Sequence, residues 1–183
     1  MTRDELEHAI RAACDVADDD EVWVFGSQAI LGQYEDAPAE LRMSAEVDIA
    51  PVNELSKTID IDANLGELSV FHQAYGFYVH GVSIEAAVLP QGWERRAKKV
   101  SNANTRGKTG LCVEAHDLAV SKLVAFRPKD LDFVRVLLAE DLVSARKLLM
   151  RIDQLTNDAR APESHRAAMR EWIKGIVKDL GRG

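Results

Sequence analysis

The sequence is poor in cysteine, with only Cys14 and Cys112 among its 183 residues. The two cysteines lie far apart in the chain, and each is surrounded by apolar residues. A disulfide scaffold needs more cysteines, and a structural zinc site needs metal-binding residues at short spacing. We therefore expect two buried, reduced thiols in a cytoplasmic protein, rather than a disulfide or a metal site at the cysteines.

The sequence also lacks a long apolar segment. Its apolar runs are far shorter than the roughly 20 residues that a membrane-spanning helix needs, and residues 1–5 lack the features of a signal peptide. Hydrophobic residues make up 46% of the chain and charged residues 29%, a composition typical of folded globular proteins. These features predict a cytoplasmic protein with no membrane partner, built as one compact domain or as one domain with a helical extension.

Positive charge is outnumbered by negative charge, with 23 lysines and arginines against 30 aspartates and glutamates. The formal net charge of −7 argues against a protein that coats nucleic acid with its whole surface. Six basic residues nevertheless lie from Arg95 to Lys108, with no acidic residue among them. This basic segment is either a solvated hairpin with lysine-rich edges or a surface that receives a polyanionic acceptor such as RNA. The sequence leaves both interpretations open.

Apolar periodicity and turn residues predict an α+β fold. Thr2 and Glu5 form a capping box at the start of a helix that ends at Asp18-Asp19-Asp20, which we interpret as a solubilising surface turn. Short apolar segments predict strands at residues 21–25, 45–50, 76–82, 84–89, 98–100 and 109–113. From residue 116 the pattern is helical almost to the end. We therefore expect an α+β core over residues 1–114 and a helical subdomain over residues 115–183.

The most informative local feature is a strand that ends in Gly26-Ser27. The apolar residues 22–25 predict the strand, and the Gly-Ser pair predicts a tight turn that opens a helix. Gly26 lets the backbone approach a phosphate closely. Ser27 adds a hydroxyl and an N–H group at the start of a helix, where anions are favoured. Both residues are therefore candidates for binding a nucleotide phosphate.

Two carboxylates lie on the strand that follows. Glu46 and Asp48 are two residues apart, so their side chains point to the same face of the strand. Mg²⁺ prefers oxygen ligands and often binds through one or two carboxylates together with substrate phosphates. We predict that Glu46 and Asp48 bind Mg²⁺, or Mn²⁺, with a nucleoside triphosphate. Ser44, on the same strand face, is a candidate for a further contact.

Together these segments resemble the core of the DNA polymerase beta-like nucleotidyltransferase superfamily. Within it, the sequence is most similar to the group related to AbiEii-type toxins of bacterial toxin–antitoxin systems, through residues 24–30, 42–48, 116–123 and 127–130. The resemblance implies a mixed β-sheet flanked by helices, with a helical C-terminal part. It also implies metal-dependent transfer of a nucleotide from an NTP to RNA such as tRNA, to a protein or to a small molecule, with an antitoxin protein as a partner.

The same resemblance adds residues downstream of the carboxylate pair. Lys122 lies where such toxins have a lysine that contacts the triphosphate. Arg127 and Asp130 match a basic-acidic element that completes the site. From the residues alone, a solvated helix face at Lys122 and an exposed ion pair between Arg127 and Asp130 are the alternatives.

The superfamily pattern also implies a third metal carboxylate on a neighbouring strand. Glu85, in the predicted strand over residues 84–89, is the only nearby candidate. His72 and His80 lie among aromatic residues. We expect these two histidines to pack in the core rather than to stack on a nucleotide base.

Two function classes follow from these patterns. The first is an active nucleotidyltransferase, in which Glu46, Asp48, Lys122 and Asp130 are catalytic. The second is a catalytically silent relative that binds a nucleotide, RNA or a protein partner. The intact carboxylate pair favours the enzyme, because a silent relative has little chemical need for two adjacent carboxylates.

Overall fold

The computed structural model describes residues 1–181 and confirms an α+β fold with a mixed sheet flanked by helices. The chain forms two compact units. The first comprises Met1–Ala86 and Arg96–Glu114, and the second comprises Ala87–Arg95 and the chain from Ala115 onward. The sheet, the Gly-Ser turn and the carboxylate pair all belong to the first unit.

The first unit contains a five-stranded sheet. Its elements are α1 (Arg3–Ala17), β1 (Glu21–Phe25), β2 (Glu46–Pro51), α2 (Thr58–Leu65), α3 (Val70–Tyr75), β3 (Tyr78–Gly81), β4 (Lys98–Val100) and β5 (Thr109–Cys112). The strand order is β3-β2-β1-β5-β4. Strand β1 is antiparallel to β2 and parallel to β5, whereas β2 and β3 are parallel and β4 and β5 are antiparallel. In the parallel β2–β3 pair, Glu46 lies beside Tyr78 and Asp48 lies beside His80.

Helix α1 begins at the predicted capping box. The Thr2 hydroxyl accepts the Glu5 N–H, and the Glu5 carboxylate accepts the Thr2 N–H. Leu6 and Ile10 of this helix are fully buried. Ile10 packs so closely on Gly110 of β5 that a Cβ at Gly110 would overlap its side chain. Helix α1 is therefore held against the sheet by contacts that need a glycine on β5.

The turn after α1 differs from its interpretation as a solubilising surface turn. Asp19 is buried, and its carboxylate accepts the backbone N–H groups of Asn53 at 2.7 Å, Glu54 at 3.3 Å and Glu21 at 3.1 Å. Asp18 ends the helix in the left-handed conformation. Asp19 thus joins the start of β1 to the chain that leaves β2, because its carboxylate accepts backbone N–H groups from both segments.

The predicted strand over residues 84–89 is wrong. The chain instead forms a 3-10 turn at Ile84–Ala86. The Ser83 hydroxyl accepts the Glu85 N–H at 3.3 Å, and the Ser83 carbonyl accepts the Ala86 N–H at 2.9 Å. These local hydrogen bonds use N–H groups that a strand would offer to a neighbouring strand. The sheet therefore gains no residue from this segment.

Both cysteines are buried in the first unit, as expected. Cys14 lies on α1 and Cys112 lies at the end of β5. Burial raises the pKa of each thiol to about 12. Both thiols are therefore protonated and weakly nucleophilic at neutral pH.

The second unit is helical over most of its described length. It contains α4 (Ala115–Ala125), α5 (Pro128–Ala139), α6 (Ala145–Asp153) and α7 (Glu163–Asp179). The fully buried Asp117 carboxylate of α4 pairs with Arg151 of α6 at 3.2 Å, and the His116 ring accepts the Ser144 N–H at 3.0 Å. Across residues 1–181, no helix combines the length and the apolar composition needed to cross a membrane.

Candidate active site

The Gly-Ser turn follows β1 directly and lies against the carboxylate pair. The backbone of Gly26 has φ 64° and ψ −169°, a conformation that residues other than glycine rarely adopt. A Cβ at this position would overlap the Asp48 carboxylate, which packs on Gly26. Ser27 opens a 3-10 turn at Ser27–Gly32, in which Ala29 donates its N–H to the Gly26 carbonyl at 3.2 Å. The turn therefore needs glycine both for its backbone conformation and for its contact with Asp48.

We predict that Gly26→Ala lowers the free energy of unfolding by about 2–4 kcal/mol, because the backbone strain adds to the overlap with Asp48. Urea titration measures this change. Gly76→Ala is the matched control, since Gly76 has φ 75° and a Cβ there would meet nothing within 4 Å. The control should lose only about 1 kcal/mol. Equal losses in both variants would show that the contact with Asp48 has no energetic consequence.

Gln28, the next residue, is fully buried, and its amide has no hydrogen-bond partner within residues 1–181. A buried amide without partners destabilises the folded state by about 1–3 kcal/mol. We therefore predict that Gln28→Met, which has a similar volume and no amide, raises the free energy of unfolding by about 1–2 kcal/mol in urea titration.

Gln33→Met is the control for that variant, because the Gln33 amide donates to the Tyr34 hydroxyl at 3.0 Å. This control should not be stabilised. Loss of stability in Gln28→Met would contradict the prediction.

The carboxylate pair lies at the start of β2, as the spacing predicts. Glu46 and Asp48 are half-buried, with 37% and 27% of their side chains exposed. The predicted place of Ser44 on the same strand face is wrong, because β2 begins only at Glu46. The Ser44 hydroxyl instead accepts the Glu46 N–H at 3.1 Å and donates to the Glu46 carbonyl at 3.2 Å. Ser44 therefore orients the backbone that carries Glu46.

Strand β3 brings two further side chains to the pair. In the parallel register, Tyr78 lies beside Glu46 and His80 lies beside Asp48. The Tyr78 hydroxyl donates to Glu46 Oε2 at 2.8 Å. His80 Nδ1 is 3.1 Å from Asp48 Oδ1 and 3.4 Å from Glu46 Oε1. The site thus consists of two carboxylates, an imidazole and a phenol, on adjacent strands.

The expectation that His80 packs in the core is wrong. Half of the His80 side chain is exposed, and its ring faces the two carboxylates. The same expectation is wrong for His72, which lies on α3, is only partly buried and accepts the Leu68 N–H at its Nδ1 atom. Glu85, the candidate third carboxylate, is exposed in the 3-10 turn after β3 and lies outside the group formed by Glu46, Asp48 and His80.

The close packing of these groups changes their pKa values. Burial and the neighbouring Glu46 charge raise the pKa of Asp48 to about 6. Desolvation opposes ionisation of Glu46, but hydrogen bonds from Tyr78 and Asp48 lower its pKa below the usual value. Desolvation likewise opposes protonation of His80, but the hydrogen bond to Asp48 raises its pKa. Two carboxylates held this close favour a cation between them.

The donor atoms of this group fit a divalent cation. One atom from each of Glu46, Asp48 and His80 lies within 4.8 Å of the others. Adjacent ligands at about 2.1 Å from one octahedral ion are about 3 Å apart, close to the 3.1 and 3.4 Å separations between His80 Nδ1 and the two carboxylates. Carboxylate oxygen and imidazole nitrogen are both common metal ligands.

Lys122, Arg127 and Asp130 form a cluster within the second unit. Asp130 is buried, with 1% of its side chain exposed, and it pairs with Arg127 Nε at 2.6 Å and with Lys122 Nζ at 3.3 Å. The Lys122 ammonium also lies 4.4 Å from the centre of the Phe133 ring. Burial alone would raise the pKa of Asp130, but Arg127 and Lys122 lower it. Asp130 is thus a buried anion held by two cations.

The basic segment comprises the end of the 3-10 turn at Trp93–Arg96, strand β4 and the loop that leads to β5. Arg95 belongs to the second unit and residues 96–108 to the first. Lys98 and Lys99 lie on β4, and Lys108 precedes β5 and pairs with Asp20 at 2.7 Å. The loop between the strands is anchored to α1, because Asn102 and Asn104 donate to the Glu7 carboxylate at 2.8 and 2.9 Å. The strand and loop that carry the basic residues from Lys98 to Lys108 are therefore fixed to α1 by hydrogen bonds.

The model of the family described as nucleotidyltransferase of unknown function (DUF6036) matches the chain over residues 4–176. This span includes the Gly-Ser turn, both carboxylates, His80 and the Lys122 cluster. No curated protein and no solved structure matches the chain.

Proposed function

Since the chain belongs to this nucleotidyltransferase family, we propose that it uses a divalent metal to move a nucleotidyl group from an NTP to an acceptor. The observation that carries the proposal is the packing of the Asp48 carboxylate on Gly26. This contact puts a glycine turn, suited to phosphate, beside a carboxylate pair suited to a cation.

In this reaction an acceptor oxygen attacks the α-phosphorus of the NTP, and the bond from that phosphorus to the pyrophosphate oxygen breaks. Glu46 and Asp48 would hold Mg²⁺ or Mn²⁺, which supplies positive charge to the phosphate oxygens. Without a side chain at Gly26 the turn lies directly against Asp48, and the hydroxyl and N–H of Ser27 are the proposed phosphate contacts. Ser44 and Tyr78 keep Glu46 in place through its backbone and its carboxylate.

The acceptor is proposed from charge. RNA such as tRNA carries a high density of negative charge, and the basic segment from Arg95 to Lys108 is the matching feature of an otherwise acidic chain. A protein acceptor is the alternative within the same reaction class.

The finer family assignment is also part of the proposal. We propose that the chain is closest to AbiEii-type toxins, acts in the cytoplasm and has an antitoxin protein as a partner. Residues 1–114 would carry the nucleotidyltransferase core, and residues 115–183 would form a helical subdomain.

The downstream residues are proposed from the resemblance alone. Lys122 and Arg127 would contact the triphosphate, and Asp130 would complete the catalytic set. Their mutual pairing supports a second role, in which Asp130 stabilises the second unit. Variants of Asp130 separate these roles, as argued in the Discussion.

The competing function is a silent nucleotidyltransferase-like domain that binds a nucleotide, RNA or a protein. Among residues 1–181, the group of Glu46, Asp48 and His80 contains no third carboxylate, which favours this alternative.

A transfer assay decides between the two functions. The wild-type protein and Asp48→Ala are incubated with each α-labelled NTP, Mg²⁺ or Mn²⁺, and total RNA or protein. We expect the wild type alone to label an acceptor and to release pyrophosphate. Equal labelling by the two proteins would reject the catalytic assignment. No pyrophosphate release with any NTP or acceptor would favour the silent domain.

A further inference from the structure

We propose that His80 Nδ1 is the third protein ligand of the metal at Glu46 and Asp48, and that this nitrogen makes the site select Mn²⁺ over Mg²⁺. The inference rests on the proposed function, because it identifies the cation of the same site.

The first argument is geometric. His80 Nδ1 lies at a similar distance from one oxygen of each carboxylate, 3.1 Å from Asp48 and 3.4 Å from Glu46. These are separations of adjacent ligands on one ion rather than of groups on opposite sides of it. A cation at the centre would replace the hydrogen bond that now joins His80 to Asp48.

The second argument is that the fold holds His80 in this position. His80 and Asp48 are direct partners in the β2–β3 ladder. The next residue, Gly81, is packed so closely on α2 that a Cβ would overlap the Thr58 carbonyl. The Tyr78 hydroxyl donates to Glu46 Oε2 and leaves Oε1 facing His80. Such outer hydrogen bonds orient metal ligands in proteins.

The third argument is chemical. Mg²⁺ is a hard ion that binds oxygen ligands and retains its waters, whereas imidazole nitrogen favours first-row transition metals. Mn²⁺ accepts both carboxylate oxygen and imidazole nitrogen. His80 thus occupies the place that a third carboxylate would take in an all-oxygen site, and a nitrogen there changes the metal preference.

Metal binding can be measured without NTP or acceptor. Mn²⁺ is titrated into the wild type and into His80→Asp, His72→Gln and the double variant Glu46→Gln/Asp48→Asn, and free Mn²⁺ is followed by electron paramagnetic resonance. Pulsed measurements of the bound ion then detect a directly bonded nitrogen. Mg²⁺ competition gives the ratio of the two affinities, and circular dichroism melting confirms that each variant is folded.

We expect the wild type to bind one Mn²⁺ with nitrogen modulation and to prefer Mn²⁺ to Mg²⁺ by at least about tenfold. His72→Gln should behave like the wild type. His80→Asp should lose the nitrogen signal and most of the preference while it still binds metal. An unchanged nitrogen signal in His80→Asp, or equal affinity of the wild type for Mn²⁺ and Mg²⁺, would overturn the proposal.

The double variant separates this inference from the proposed function. Mn²⁺ binding that needs both carboxylates but not His80 would reject only the role of His80. Mn²⁺ binding that survives in the double variant would reject the metal site itself, and with it the site assigned to the transferase.

Discussion

Asp48→Asn is expected to reduce nucleotide transfer by at least about 10³-fold, equivalent to about 4 kcal/mol of lost transition-state stabilisation. The amide keeps the shape of the side chain but has no charge, and it offers a metal only a weak oxygen ligand. The measurement is the initial rate of pyrophosphate release at saturating metal and NTP. Asp60→Asn is the control and should retain full activity, because Asp60 is a half-exposed residue of α2 that pairs with Lys57.

The same variant should be more stable than the wild type in metal-free buffer at high pH. The pKa of Asp48 is raised to about 6 in the folded protein, from 3.8 for an ordinary aspartate. The protonated Asp48 carboxyl therefore stabilises the folded protein, fully below pH 3.8, and this stabilisation is lost as the pH rises through 6. Asparagine does not ionise, so the variant avoids this loss.

The measured quantity is the free energy of unfolding of Asp48→Asn minus that of the wild type, with a metal chelator present. We expect this difference to be about 1–3 kcal/mol larger at pH 8 than at pH 4. Urea titrations at the two pH values measure the change. If the difference in unfolding free energy between variant and wild type is the same at both pH values, the raised pKa of Asp48 is contradicted. Lower activity combined with higher stability is the signature of a functional charge.

Asp130→Ala is expected to lower the free energy of unfolding by about 3 kcal/mol. The variant removes a buried anion and leaves Lys122, with 12% of its side chain exposed, without its carboxylate partner. Arg127 contributes less, because 61% of its side chain is exposed and water screens its charge. Asp132→Ala on the exposed face of the same helix is the control and should change stability by less than about 0.5 kcal/mol.

The pH dependence of this effect has the opposite sign to that of Asp48. The pKa of Asp130 is lower in the folded protein than its ordinary value of 3.8. Its stabilisation is therefore present above pH 3.8 and is lost as the pH falls below that value. We expect the gap between wild type and Asp130→Ala to narrow on acidification. Equal stability of Asp130→Ala and Asp132→Ala at pH 7 would reject the structural role and favour the catalytic one.

The features of the site that are local in sequence were predictable. A strand that ends in Gly26-Ser27, and two carboxylates at i and i+2, follow from periods and turn preferences that act over a few residues. The capping box at Thr2 and the start of α1 are of the same kind. The carboxylate pair lies on one face of β2 because alternation along a strand depends on the backbone alone.

His80 was not predictable in the same way, because its role depends on which strands pair and in which register. Its aromatic neighbours in sequence suggested core packing, whereas the parallel β2–β3 ladder sets it beside Asp48. Tyr78 and His80 are two residues apart, as Glu46 and Asp48 are. This spacing is the signal that could have indicated a second strand with polar side chains on one face. Such a signal becomes specific only once the strand pairing is known.

Long-range hydrogen bonds explain another misinterpretation. Three consecutive aspartates are usually solvated, but Asp19 accepts N–H groups of Asn53 and Glu54, more than thirty residues away. The failed strand at residues 84–89 has a local cause instead, since Ser83 accepts N–H groups that a strand would donate to its neighbour.

The most direct test of the central claim is thermal melting with a non-hydrolysable α,β-methylene triphosphate and Mn²⁺, with each base in turn. At about 100 times the Kd, ligand binding adds about 2.7 kcal/mol to stability, which raises the Tm of a chain of this size by roughly 5–10 °C. We predict this shift for the wild type, little shift with a chelator in place of Mn²⁺, and none for Glu46→Gln/Asp48→Asn. A full shift in the double variant would contradict a metal–triphosphate site at these two carboxylates.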